Sequence, residues 1–334
     1  MTTIPSALPF SPLRKHGLIL TRGTRGAWDD GMVESPVVWW DARVGRFGMV
    51  YTGYDWRGRP MEGYASMGRP HVGLAWSDDL ISWEKAGDGP ILSGSGMPGA
   101  PDEIGTAGPF IYMHEGHYFL YYFGTTETGY EKGHKTMCLA TSDDLTHWNR
   151  HPGNPIISPD AQFPWRNEAI WHPHVVASEG RFYCFFNVSG VFEGHHEEFI
   201  GHAESDDLRT WTVRDDLAPL LVGSRTPGAW DATGRAGDPA LWRVGDHWWM
   251  AWYSWNGRST QDGYAWTTHE NFPAGWQVWT ENPVLTLGPP GSFDAWHAGK
   301  PHIIVHDDRW YHFYTAVDDQ ERRGIAVASG DLRA

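Results

Sequence analysis

Two short stretches set a carboxylic acid beside a proline in apolar surroundings: Val33-Glu34-Ser35-Pro36 and Gly237-Asp238-Pro239. A pair of carboxyl groups, one protonated and one ionised, can give and take a proton across a reacting bond. Asp238 interrupts an otherwise apolar run, where a purely structural aspartate would cap a turn. Glu34 occupies a position that matching stretches fill with Ala, Trp or Gly, its alternative being a solvated rim carboxylate. The residue before the proline is Ser35, Gly108, His172, Asp238 or Lys300 in the five such stretches, so these positions are expected to ring one pocket floor. His172 and Lys300 could there tune neighbouring carboxylates or bind an anionic group. His174 and His302 share their face, but no histidine or acid has the spacing of a metal-ligand motif, and no metal is expected.

Other acids are weaker candidates. Asp29, Asp231 and Asp294 recur after an aromatic residue, and such repetition predicts a structural role. Asp30 is not repeated, while Asp102 and Glu103 stand at the equivalent place in the second stretch. Glu168 lies five residues before Pro173. Trp171, Trp255 and Trp296 are expected on mouth loops, although in a chain with 21 tryptophans any single one can equally fill the core.

A repeat must position these residues. Ser-Asp-Asp-Leu-x-x-Trp ends at Trp83, Trp148 and Trp211, and a degraded copy ends at Trp276. Together with the x-Pro stretches at Pro36, Pro109, Pro173, Pro239 and Pro301, this defines a unit of about 65 residues used five times. Each unit reads as an apolar strand after the proline, a turn, an aromatic strand, and a third strand ending at the SDDL turn. Trp and a short run such as "NPIISP" close it. Four strands per unit, repeated radially, predict an all-β, five-bladed β-propeller in one domain spanning residues 1–334. The fifth unit lacks its own outermost strand, and residues 15–22 are expected to supply it.

The bulk composition agrees. Gly (40) and Pro (23) favour many short strands, and aromatics reach 14%. A net charge of −15 argues against nucleic acid and anionic membranes as partners. No apolar run is long enough to span a bilayer, and the N-terminus lacks a basic start followed by an apolar segment. Cys138 and Cys184 read as two buried free thiols, which fits a cytoplasmic location.

Five blades, the SDDL-x-x-W turn and acids beside the x-Pro of inner strands resemble the five-bladed glycoside hydrolase superfamily. That group includes the arabinanase/β-xylosidase family 43, the invertase/levanase family 32 and the mannoside phosphorylase family 130. The resemblance covers essentially the whole chain. In those families Glu-x-Pro often carries the catalytic acid, and Asp-Pro the base, nucleophile or auxiliary carboxylate. It therefore implies Glu34 as acid and Asp238 as base or nucleophile, with Glu168, Asp30 and Asp102 as substitutes. Glu168 gains weight because the third blade carries the acid in family 43. No single family is fixed: Lys300-Pro301 stands where an auxiliary Asp would be expected, and the invertase signature Trp-Met-Asn-Asp-Pro is missing.

The resulting expectation is an exo-acting glycosidase of short oligosaccharides, a pentofuranoside or related sugar, working without a cofactor. His172, Lys300, Asp102, Trp171 and Trp296 would bind substrate. One alternative is a phosphorylase in which Lys300, His172, Arg235 and His297 hold phosphate. The other is a sugar-binding propeller without catalysis, although lectins of that kind tend to repeat one site in every blade.

Overall fold

In the computed structural model, which describes residues 4–56 and 67–333, the SDDL segments show why the third strands end where they do. Ser77 Oγ accepts the Leu80 N–H at 2.9 Å, and Asp79 Oδ1 accepts those of Ile81 and Ser82 at 2.9 and 2.7 Å. Trp83 Nε1 then donates to the Leu80 carbonyl at 3.1 Å. Leu80 is thereby held at a φ of 66° with its side chain buried. The Ser142 and Ser205 segments repeat this pattern of serine and aspartate acceptors, with Leu145 and Leu208 also at positive φ. Short polar side chains capture the backbone donors that the turn would otherwise leave unpaired.

The architecture is all-β. Three four-stranded antiparallel sheets follow one another: β2 (Met32–Asp41), β3 (Arg46–Tyr54), β4 (Pro70–Ser77) and β5 (Glu84–Lys85); then β6 (Gly105–His114), β7 (His117–Thr125), β8 (Thr136–Ser142) and β9 (Asn149–Arg150); then β10 (Ala169–Ser178), β11 (Arg181–Phe192), β12 (His195–Ser205) and β13 (Thr212–Val213). An eight-stranded sheet holds the rest. One half is β14 (Gly237–Val244), β15 (His247–Trp255), β16 (Thr260–Thr268) and β17 (Gln277–Val278). The other is β18 (His297–His306), β19 (Arg309–Val317), β20 (Arg323–Asp331) and β1 (Arg14–Thr21). A single parallel bridge, Thr260 to His297, joins the halves. The expected use of the N-terminus is seen in the pairing of β1 with β20, from Arg14 opposite Ser329 to Thr21 opposite Gly324. No helix among the described residues is long and apolar enough to cross a membrane. Residues 1–3, part of the N-terminal stretch read above, lie outside the described residues.

Apolar side chains of each four-stranded run pack on the next. Val50 and Val72 meet Ile111 and Leu120; Phe110 and Tyr121 meet Val175 and Phe186; Phe185 and Ile200 meet Leu241 and Trp252. Ala240 and Trp249 meet Ile303 and Trp310, and Phe313 and Ile325 return to Val33 and Met49 of the first run. The last run therefore packs on the first. Cys138 and Cys184 are both free and buried.

Two of the recurrent aspartates, Asp29 and Asp294, are braces, and so is Asp102, whereas Asp231 accepts from Ser224 within its own loop. Asp29 accepts from Lys85 at 2.5 Å and from Tyr51 at 3.3 Å. Asp102 likewise faces Arg150 at 2.7 Å and Tyr122 at 2.9 Å, and Asp294 faces Lys15 at 2.5 Å and Tyr314 at 3.0 Å. Each ties the loop before an inner strand to a second strand and an outermost strand, so Lys15 makes β1 part of the same scheme.

Candidate active site

The five inner strands, β2, β6, β10, β14 and β18, share one irregularity. Each shifts register around its x-Pro step, between Glu34 and Val37, Ala107 and Phe110, Trp171 and His174, Gly237 and Ala240, and Gly299 and His302. At each bulge the residue before proline takes a left-handed φ: 54° at Ser35, 53° at Gly108, 49° at His172, 49° at Asp238 and 60° at Lys300. Four of the five are not glycine, and such strained backbone persists only where the surroundings enforce it. Such bulges re-aim the residue that they carry. All five residues line one small cavity of about 30 Å³, the common floor expected from the sequence.

Above that floor opens a cavity of about 300 Å³, and Asp238 and Lys300 border both spaces. Its walls include Trp171, Trp255, Trp296, Tyr130 and Tyr253. Three carboxyl groups face it: Asp238, Glu131 and Glu198. Glu131 comes from the long β7–β8 connection. Glu198 comes from β12, opposite Ser189 of β11.

Lys300 and His172 organise one side. Lys300 Nζ lies 2.9 Å from Glu131 Oε1, 3.7 Å from Glu34 Oε1, and donates to His172 Nε2 at 3.0 Å. His172 Nε2 is also 3.8 Å from Glu131 and 3.7 Å from Asp238 Oδ1. On the other side, Arg235 Nη1 is 3.2 Å from Glu198 Oε1, and the Tyr253 hydroxyl donates to Glu198 Oε2. Asn187 Nδ2 donates to Asp238 Oδ1 at 2.7 Å, while Asp238 Oδ2 has no hydrogen-bond donor among the described residues.

These surroundings set Glu131 apart from the other two acids. Burial raises Glu198 above the ordinary carboxyl range, and the charge of Glu131 adds to this against the pull of Arg235. Burial also raises Asp238, although His172 and Lys300 oppose it. For Glu131, burial is outweighed by Lys300 and His172, and its carboxyl sits well below the ordinary range. Burial would lower Lys300, yet the charges of Glu131 and Glu34 hold it well above the usual lysine value. Among the described residues, no group of three or more His, Cys, Asp or Glu is placed to hold a metal ion.

The sequence candidates thus separate. Asp238, Lys300, Trp171 and Trp296 border the larger cavity, as do Arg235 and His297; His172 joins the floor. Glu34 is 2% exposed and does not border the cavity; its carboxylate faces Arg323 and Lys300 behind the wall. Asp30 accepts the Gly26 N–H at 2.7 Å in the entry loop, and Asp102 is the brace described above. Glu168 points to Ser189 and His196 at 2.9 and 2.7 Å, outside the cavity lining, and the His196 hydrogen bond holds it below the ordinary carboxyl range. Sequence reasoning missed Glu131, Glu198, Asn187, Tyr253 and Arg323. The available signal was the paired Glu197-Glu198 opening a third strand, and a "TTETGYEKGHK" insertion in the second unit.

No protein-family model matches the chain, and no curated protein matches it in sequence. Solved structures do match. A complex of BT0996 with RGII superposes with a TM-score of 0.76 at 21% identity, covering 95% of this chain and 92% of that protein. The propeller architecture is decided by such neighbours. This is the fold of the propeller glycoside hydrolases. A thermostable family-43 glycoside hydrolase matches with a TM-score of 0.65 at 16% identity, over 92% of this chain and 90% of the other. A member of the GH130 family of mannoside phosphorylases, which contains hydrolases targeting β-1,2 mannosidic linkages in Candida mannan, matches at 0.72 and 15%, over 97% and 95%. The propeller glycoside hydrolase resemblance therefore holds across several families and singles out none.

Proposed function

We propose that this chain is a glycoside hydrolase, built as a single five-bladed propeller domain, that cleaves short oligosaccharides in its central cavity. The observation that carries the reading is one cavity bordered by two glutamates in opposed settings: Lys300, 2.9 Å away, favours the ionised form of Glu131, while burial favours the protonated form of Glu198. Such a split assigns acid and base. Glu198 is the proton donor to the departing glycosidic oxygen, the role that the Glu-x-Pro pattern gave to Glu34. Glu131 is the ionised partner that activates water or attacks the anomeric carbon. Asp238 is the auxiliary carboxylate between them, and Lys300, with Glu34 behind it, keeps Glu131 ionised.

The aromatic walls offer flat faces for sugar rings. The narrowing from the cavity of about 300 Å³ to a floor of about 30 Å³ supports binding of a chain end, a pentofuranoside or related non-reducing-end sugar. The pre-proline residues differ in all five units, which supports one differentiated site over a lectin's repeated one. The free buried thiols support a cytoplasmic setting. Lys300 and Arg235 each already face a carboxylate, His172 is hydrogen-bonded to Lys300, and burial lowers His297 to about 3, so the four groups named for phosphate are engaged or neutral. That favours water over phosphate as acceptor. A screen of nitrophenyl glycosides, each with and without inorganic phosphate, tests this: the reading expects turnover of at least one glycoside at a rate that phosphate leaves unchanged. Turnover that requires phosphate would establish the phosphorylase, and none on any sugar would favour the binding protein.

A further inference from the structure

Asn187 is fully buried in the middle of β11 and belongs to none of the sequence motifs. Its side chain nevertheless touches two of the three cavity acids. Nδ2 donates to Asp238 Oδ1 at 2.7 Å and lies 3.5 Å from Glu198 Oε2. Oδ1 accepts the backbone N–H of Asp238, a donor that the bulge withdraws from the β14–β15 ladder. The amide is also tightly enclosed: a Cβ on Gly237 would stand 2.7 Å from Asn187 Nδ2 and closer still to the Tyr253 ring. A glycine before Asp238 leaves just enough room for this contact.

We infer that Asn187 is a positioning residue, one amide that holds the bulged Asp238 and spans to Glu198, making the two carboxyl groups a coupled pair. The inference rests on the proposed hydrolase reading for its catalytic meaning, but the coupling itself needs no substrate. An amide is suited to the place. It supplies a donor for the carboxyl pair and an acceptor for the stranded N–H at once, and it adds no charge. An aspartate would keep the acceptor, lose the donor and add a like charge; a serine is too short to bridge both groups.

Several charged groups face this pair. Arg235 and Tyr253 face Glu198, and Glu131 acts on both acids. His172, Lys300 and Glu34 act on Asp238, and the buried Asp262 of β16 senses its charge. Against that fixed background the contribution of Asn187 has a definite sign. A donor to an ionised carboxylate stabilises the charged form, so removing it raises the carboxyl pKa, and a new like charge raises it further.

The test is carboxyl carbon NMR on the full-length chain labelled in Asp and Glu, with Asp238 and Glu198 assigned by loss of signal in Asp238→Asn and Glu198→Gln. Asn187→Ser should move the Asp238 titration upward by about one unit. Asn187→Asp should move it further and carry the Glu198 titration upward with it. Unshifted titrations in folded variants would overturn the inference. Should both variants fail to fold, the wild-type chain still decides: the Asn187 side-chain NH₂ resonance should follow both carboxyl titrations, and a flat response would refute the coupling. Shifts present without any glycosidase activity would retain the coupling and reject the hydrolase reading.

Discussion

Glu131 and Glu198 face the same cavity yet hold protons differently, because Lys300 and His172 adjoin one while burial dominates the other. This sets the pH dependence. The proposed hydrolysis needs Glu131 ionised and Glu198 protonated, so it should fall at low pH as Glu131 takes up a proton and at high pH as Glu198 loses one. With Glu131 lowered and Glu198 raised, the profile of kcat/KM should be a broad bell, its acidic limb below and its alkaline limb above the ordinary glutamate range. A stopped assay across pH 3 to 9 (about the usual working span) checks this, and a profile that rises steadily to high pH would contradict it. Asp238, Lys300 and His172 were legible in the sequence because the repeat marks their slot. Glu131 and Glu198 were not, since they come from a long loop and an extended hairpin that depart from the repeat. Glu34 had the right motif, but nothing in the sequence shows that Arg323, nearly three hundred residues on, takes its carboxylate.

The repeating elements are held by side chains that satisfy backbone groups. In the SDDL turns the serine hydroxyl accepts from the leucine two positions past the first aspartate, at 2.9 Å in the case of Ser205 and Leu208. Ser205 is 5% exposed, so its loss leaves a buried donor without a protein partner. Ser205→Ala should cost about 1–2 kcal/mol, measured by urea unfolding, with activity on a nitrophenyl glycoside unaltered at low temperature. A cost indistinguishable from zero would mean that water replaces the hydroxyl. These turns, the strands and their order were all readable, because periodicity and turn chemistry are local. The bulges were not, as a proline fixes its own φ but does not announce that its predecessor turns left-handed.

Closure belongs to the whole molecule. β1 pairs with β20, Lys15 braces Asp294, and Phe10 is buried against Trp310 with ring centroids 4.7 Å apart. The pairing was foreseen from the missing outer strand, but the Phe10 anchor was not, since nothing in the repeat leads to it. Removal of residues 1–24 should therefore lower the melting temperature of the entire chain, and Phe10→Ala alone should cost about 3 kcal/mol. Unchanged melting of the truncated chain would show that the ring does not depend on its N-terminal strand, and of Phe10→Ala that the Phe10 contact does not anchor it. That ring exists, on this account, to bring acids from separate sheets into one cavity, and leaving-group dependence tests the claim most directly. Protonation of the departing oxygen matters for a poor leaving group and little for nitrophenolate. Glu198→Gln should thus lose at least two orders of magnitude on an oligosaccharide while keeping much of its nitrophenyl glycoside activity, whereas Glu131→Gln should lose as much on both. Equal losses for Glu198→Gln on the two substrates, or near-normal activity of Glu131→Gln, would contradict the account.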